Sequence, residues 1–249
     1  MAPRSGDELH ELEGRQEPRL VKALEMVAPG TALREGIDDI VHAGMGALLV
    51  IGDHEELSFL FSGGIKLDVD YTPALLYQLA KMDGGITLNA NATKIGMANV
   101  QLTPDPTILT METGTRHRTA ERVSKQVDAI VIAISQRREV VSLYVDGAKY
   151  ILEDIPVVLA KANQALNTLD KYRTRLDQVS TRLTALEFEG GATLHDVLTV
   201  LQRSELVTRM AAEIERYIVE LGTEGRLIEM QLEEVMVGVA GDKAALVRD

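Results

Sequence analysis

Hydrophobic positions along the chain follow two rhythms, and the change falls near residue 153. Before it, short apolar runs alternate with amphipathic segments. Leu20, Ala23, Leu24 and Val27 share one face of a helix predicted over 19–27, which Pro29-Gly30 breaks. Leu33, Ile37, Ile40 and Val41 predict a second helix over 31–43. Residues 47–51 are continuously apolar, as in a strand buried on both faces. Residues 57–61 read as a short strand and 65–69 as extended chain. Thr72-Pro73 starts a helix whose apolar face is Leu75, Leu76, Leu79 and Met82. Strands follow over 86–88 and 95–102, with a turn at Pro104-Asp105-Pro106. Residues 129–134 give the strongest buried-strand signal. Segments 140–145 and 149–152 form a hairpin across Asp146-Gly147.

From Asp154 onward strand signals nearly vanish. Ala162, Leu166, Leu169, Tyr172, Leu176, Val179, Leu183 and Leu186 recur at spacings of three and four. They predict a heptad-like seam along one helix of roughly 50 Å at 1.5 Å per residue. Gly190-Gly191 ends it, and Thr193 with Asp196 caps the next helix. Further helical patterns cover 205–221 and 226–237. The seam fits packing on these later helices or on another subunit. The predicted fold is therefore α/β, a mixed central sheet flanked by helices over 16–153, followed by an all-α helical spine or bundle over 154–249. Residues 1–15 are polar and acidic and read as a disordered leader, not a signal peptide.

Composition narrows the chemistry. The hydrophobic fraction is 45% with 4% aromatic and no Trp, so the core must be aliphatic. With no Cys, disulfides, thiolate metal sites and Cys nucleophiles are excluded, which fits a cytoplasmic protein. No stretch reaches the roughly 20 apolar residues of a membrane helix. The net charge of −12 argues against broad binding to nucleic acid or anionic membrane.

Against that acidic background, residues 114–126 gather three Arg, one of the five His and two Thr. Thr115 is a candidate helix cap, which would put Arg116, His117 and Arg118 at a helix N-terminus, where N–H groups and dipole favour an anion. Taken alone, the segment fits a solvated first turn, paired with Glu112 or Glu121, equally well. Two Arg can fork onto phosphate, and the flanking cations favour a neutral His117. Asp83-Gly84-Gly85 leaves a carboxylate at a helix-to-strand corner. Ser135-Gln136-Arg137-Arg138 follows the strongest strand, where α/β sheets collect ligands. No P-loop, dinucleotide fingerprint or Gly-x-Ser-x-Gly elbow is present.

Taken together, Asp83-Gly84-Gly85, the segment from Gly114 to Arg122, Ala133 to Arg138, and Leu143-Tyr144 resemble the diadenylate cyclase family. Ala162 to Ala165 and Tyr172 to Leu176 resemble the helical spine of its DNA-scanning members. The departure is Gly85, where the family usually has Ala. The resemblance implies condensation of two ATP into cyclic di-AMP with release of two pyrophosphates, at a site shared by two face-to-face protomers. It implies Asp83, Arg116, His117 and Arg118 as catalytic residues, and Mg²⁺ or Mn²⁺ held by Asp83 and His117. Gly84, Gly85, Leu102, Thr115, Arg116, His117, Arg118, Thr119 and Ser135 would bind nucleotide. It further implies a homo-oligomer, an octamer of face-to-face dimers, with DNA bound only through a C-terminal module missing after Asp249 and no membrane partner. A non-catalytic adenine-nucleotide sensor or an oligomeric scaffold on the same fold is the alternative.

Overall fold

The structure, a computed structural model, describes residues 18–239. The predicted leader and the last residues of the chain lie outside them. The chain divides into two compact units, the first ending at Glu153 and the second beginning at Asp154.

The first unit is built on an eight-stranded mixed sheet in the order β2-β5-β4-β1-β6-β7-β8, with β3 also pairing with β5. Its elements, in chain order, begin with α1 over 18–26. Then come α2 (Ala32–His42), β1 (Ala47–Ile51), α3 (His54–Leu57), β2 (Phe61–Ser62), β3 (Ile65–Asp70) and α4 (Pro73–Leu79). They continue with β4 (Gly85–Leu88), β5 (Lys94–Leu102), α5 (Thr115–Gln126), β6 (Ile130–Ser135), β7 (Val140–Val145) and β8 (Ala148–Ile151). β1 sits centrally, every residue buried, as its unbroken apolar run requires. It pairs in parallel with β4 and antiparallel with β6. Burying Leu49 or Ile51 this fully contributes about 1.5–3 kcal/mol each. On one face, Leu48, Val50, Val131 and Ala133 pack with Ala120 and Val123 of α5 and with buried Tyr144. Thr31 and Thr72 cap α2 and α4 through their hydroxyls. Arg19 of α1 ion-pairs with both Asp128 and Asp146. The β7–β8 turn has positive φ at Asp146 (50°) and Gly147 (78°), as a two-residue hairpin demands.

One element departs from the sequence pattern. Of residues 57–61, only Phe61 lies in a strand. Asp53 caps α3 by accepting from the Glu55 N–H at 2.9 Å, and a 3-10 turn over Ser58–Leu60 follows. Leu57 and Leu60, three apart, go inward while Phe59 is 62% exposed. A helical spacing defeats the apparent alternation, and pairing begins only at Phe61 with Leu102.

The second unit contains α6 (Ile155–Phe188), α7 (Leu194–Leu221) and α8 (Arg226–Met236). Ala162, Leu169, Leu176 and Leu183 are buried at intervals of seven. They pack with Val200, Val207, Ala211 and Ile214 of α7 and with Ile228 and Leu232 of α8. The apolar seam is thus covered by later helices of its own chain. A full capping box between Thr193 and Asp196 starts α7, which runs unbroken through the segment the sequence divides. Among the described residues, no helix is long and apolar enough to cross a membrane.

Candidate active site

A cavity of about 900 Å³ opens in the first unit. The sheet topology builds it. β1 and β4 run parallel, so both bring their N-terminal ends, Leu48 and Gly85, to its wall. β6 runs antiparallel to β1 and brings its C-terminal end, Ser135, with the turn carrying Gln136, Arg137 and Arg138. β5 supplies Val100 and Leu102, and the start of α5 supplies Thr115, Arg116, His117 and Thr119.

Asp83 stands at the corner between α4 and β4, its side chain fully exposed. Gly84 behind it has φ +99°, and a Cβ there would lie 2.9 Å from the Asn99 carbonyl carbon and 3.0 Å from the Val100 oxygen. Only glycine lets β4 pass β5 this closely. Gly85 faces Leu102, whose Cδ1 would lie 3.2 Å from an added methyl group.

The N-cap of α5 is Gly114, not Thr115, which is the first helical residue. No side chain caps this end. The first-turn N–H groups therefore keep their affinity for an anion at the cavity wall. Arg116 Nη2 lies 4.0 Å from Asp83 Oδ1. His117 is half-buried, with Nδ1 3.0 Å from Tyr144 Oη. Burial first, and then the Lys149 cation, hold its pKa below the ordinary histidine value, against an opposing pull from Glu112. Arg118 is placed differently: it is exposed, is not part of the cavity wall, and donates to the Thr113 carbonyl at 3.3 Å. The other sequence-predicted site residues, Asp83, Gly84, Gly85, Leu102, Thr115, Arg116, His117, Thr119 and Ser135, all line the cavity.

The two carboxylates next to α5 have partners of their own. Glu112 accepts from Lys149 at 2.7 Å, and Glu121 pairs with Lys125 and Thr110. The plain ion-pair reading of the Arg-His-Arg segment finds no support in these contacts. Arg122 donates to the Ile108 and Pro106 carbonyls and Lys125 to that of Leu109, each at 3.0 Å. These bonds fasten the loop before α5 and so fix Glu112 and Thr113 at the cavity.

Comparison with known proteins completes the picture. Residues 34–149 match the family model described as DisA bacterial checkpoint controller nucleotide-binding, and residues 152–249 match the DisA bacterial checkpoint controller linker region. DNA integrity scanning protein DisA of Clostridium acetobutylicum is 50% identical over 241 residues, 97% of this chain and 68% of that protein. The chain belongs to the DisA family.

The DisA of Clostridium botulinum strain 657 is 53% identical over 94% of this chain and 66% of its own length. The chain thus spans just under two thirds of that DisA. A crystal structure of DacA from Staphylococcus aureus aligns at a TM-score of 0.42 and 23% identity, over 56% of this chain and 90% of that one. For a DisA-family site, the donor set bears on metal binding. Among the described residues no cluster of three or more His, Asp or Glu could hold a metal ion. The Asp83 carboxylate, however, is fully exposed and its nearest cation is 4.0 Å away. One free carboxylate fits Mg²⁺, which is commonly held by one or two carboxylates together with substrate phosphates. Sequence reading of this DisA-family chain placed neither Gly46 nor Lys149 in the site, gave Glu112 only as an ion-pair partner and Tyr144 only within the matching pair Leu143-Tyr144. Gly46 offers no motif. The other three are ordinary strand and loop residues whose meeting depends on the β7–β8 hairpin lying beside α5.

Proposed function

We propose that this chain condenses two ATP molecules into cyclic di-AMP and two pyrophosphates. The observation that carries the reading is the approach of the Asp83 carboxylate and the Arg116 guanidinium, 4.0 Å apart, at the uncapped start of α5. Phosphate would lie on the Arg116 guanidinium and the first-turn N–H groups of α5. Thr115, Thr119 and Ser135 offer hydroxyls to phosphate or ribose, and Leu102 with Gly84 and Gly85 offers an apolar wall to the base. In each half-reaction a 3′-hydroxyl oxygen bonds to the α-phosphorus of the other ATP. The bridging P–O bond to the β-phosphate breaks, pyrophosphate leaves, and the hydroxyl proton passes to solvent water at the exposed Asp83 carboxylate. Mg²⁺ or Mn²⁺ would be held by Asp83, with His117 as second ligand, and would supply neutralisation of charge on the phosphates.

The product is two-fold symmetric and one cavity offers one Asp83, so two protomers must face each other. The exposed Phe188, Leu194 and Leu227 of the helical unit support a role in assembling such dimers, up to an octamer. On charge grounds we place any DNA contact outside these 249 residues, since −12 opposes it.

The test is incubation of the protein with ATP and Mg²⁺ or Mn²⁺, followed by chromatography of the nucleotides. Cyclic di-AMP is the expected product, and Asp83→Asn should bind ATP yet form little of it. Full turnover in that variant would overturn the role of Asp83. ATP binding without turnover under either metal would favour a nucleotide sensor, for which the Gly85 departure is the motivating feature.

A further inference from the structure

A second cavity, of about 210 Å³, opens at the far ends of two strands that also wall the first. The site described above takes the N-terminal ends of β1 and β4. This one lies where the two strands finish, walled by Gly52 just after β1 and by Leu88 and Asn89 at the end of β4. The Gly52 N–H donates to the Leu88 carbonyl at 3.1 Å, so the parallel pair holds together up to the cavity. The carboxyl ends of parallel strands are where open α/β sheets receive their ligands. We propose that this cavity binds a small flat-ring monocarboxylate, separately from the nucleotide site.

The floor calls for the ring. Leu57 and Leu88 are buried there, and the rings of Phe61 and His54 stand beside them, 5.6 Å apart and tilted by 32°. An apolar and aromatic surface with a few placed polar groups is the usual make-up of a small-molecule pocket.

A buried donor calls for an acceptor. Thr87 lines the cavity and is 3% exposed. Its Oγ1 accepts from the Met97 N–H at 2.9 Å, and among the described residues nothing accepts its own O–H. A buried hydroxyl proton left without an acceptor costs free energy that a ligand oxygen would recover. Gly96 keeps the space beside that hydroxyl open. A Cβ at Gly96 would lie 3.1 Å from Thr87 Oγ1 and 4.0 Å from His54 Nδ1.

The rim sets the charge. Lys66 and Asp68 on β3 and Lys94 on β5 are exposed at the cavity. Among the described residues none of these three side chains enters a hydrogen bond or an ion pair. Two ammonium groups against one carboxylate leave a single positive charge, in a chain whose net charge is −12. That balance suits one carboxylate better than a doubly charged phosphate. The size agrees, since drug-sized ligands take pockets of roughly 300–1,000 Å³ and this cavity fits one ring with its substituent.

Methyl NMR of the full chain, labelled at leucine and titrated with benzoate, tests the proposal. Leu57 and Leu88 report on this cavity, Leu48 and Leu102 on the nucleotide site, with signals assigned by single Leu→Ile variants. Benzoate should shift Leu57 and Leu88 saturably and leave Leu48 and Leu102 in place. Benzamide, a ring without the charge, and acetate, a charge without the ring, should each bind about tenfold more weakly or worse. Reversing both exposed cations, Lys66→Glu with Lys94→Glu, should weaken benzoate by about tenfold or more. Thr87→Val should weaken it by about fivefold. No saturable shift at Leu57 and Leu88, or shifts confined to Leu48 and Leu102, would overturn the proposal. So would equal binding of acetate or benzamide, or an unchanged affinity in the charge-reversed protein or in a folded Thr87→Val. If Thr87→Val does not fold, the charge-reversed protein decides. The titration uses neither ATP nor metal, so its outcome is independent of the cyclase reading.

Discussion

The guanidinium of Arg116 lies against the backbone of Gly46. A Cβ at Gly46 would sit 2.5 Å from Arg116 Nη1 and 3.1 Å from the Ile134 carbonyl oxygen. Any side chain at 46 therefore displaces the cation that faces Asp83. Because the obstructed atom is the tip of a flexible side chain, Gly46→Ala should melt within a few degrees of wild type. Its kcat/KM for ATP should nevertheless fall about 10- to 100-fold, the usual result of misplacing a charged group by an ångström. Unchanged kcat/KM would remove Gly46 from the account.

Gly84 and Gly85, adjacent in sequence, should respond very differently to alanine. Gly84→Ala meets backbone atoms of β5 at 2.9 and 3.0 Å with φ at +99°, which costs about 1–3 kcal/mol and separates β4 from β5. Chemical denaturation should show that loss, with cyclic dinucleotide synthesis nearly abolished. Gly85→Ala meets only the Leu102 side chain at 3.2 Å, which can yield. It should leave stability unchanged within about 1 kcal/mol and turnover within about threefold. A collapse of activity in Gly85→Ala would mean that Leu102 is held more rigidly than its contacts imply.

Acid should act on the site through His117. Its folded pKa lies below the ordinary 6.5, mainly through burial and then through Lys149, Arg138 and Arg116, with Glu112 opposing. Between the two pKa values the unfolded chain binds more protons than the folded one, so this group's contribution to stability rises with pH through that window and is lost on acidification. The acid limb of the pH–rate profile should accordingly fall below 6.5. A limb at or above 6.5 would contradict the burial of the ring.

In the helical unit, Leu169 is fully buried at the centre of the seam between α6 and α7. Leu169→Ala should cost about 2–5 kcal/mol of that unit's stability by leaving a cavity. Calorimetry would show the loss, whereas Leu194→Ala, at a residue 74% exposed, should change little.

Much of this was legible in the sequence because it depended on local rules. The strand over Ala47–Ile51, the hairpin turn at Asp146-Gly147 and the capping box at Thr193 each rest on residues within one short segment. The Asp83 and Arg116 ends of the site could be read because Asp83-Gly84-Gly85 and the segment from Gly114 to Arg122 carry the resemblance to the diadenylate cyclase family. Segment 57–61 misled because Asp53, four residues earlier, starts a helix whose cap outweighs β-propensity. Arg118 differs from its neighbour Arg116 only in where successive helical residues point, and sequence gives no origin for that rotation until the helix start is known. Gly114, rather than Thr115, sets it. The meeting of Glu112 with Lys149 spans two segments joined only by the sheet, so no spacing rule announces it.

The mixed sheet has a consequence for how this unit acquires its shape. The cavity wall needs Leu48, Gly85 and Ser135 side by side, dozens of residues apart in the chain, and one of the joining pairs is the parallel β1–β4 ladder. Such long-range pairing closes large loops and is slow. In the second unit the α6–α7 contact joins neighbouring helices across a short turn. A refolding chain should therefore recover most of its helical circular dichroism early and its affinity for nucleotide last, so that ligand capture reports the closing of the final strands.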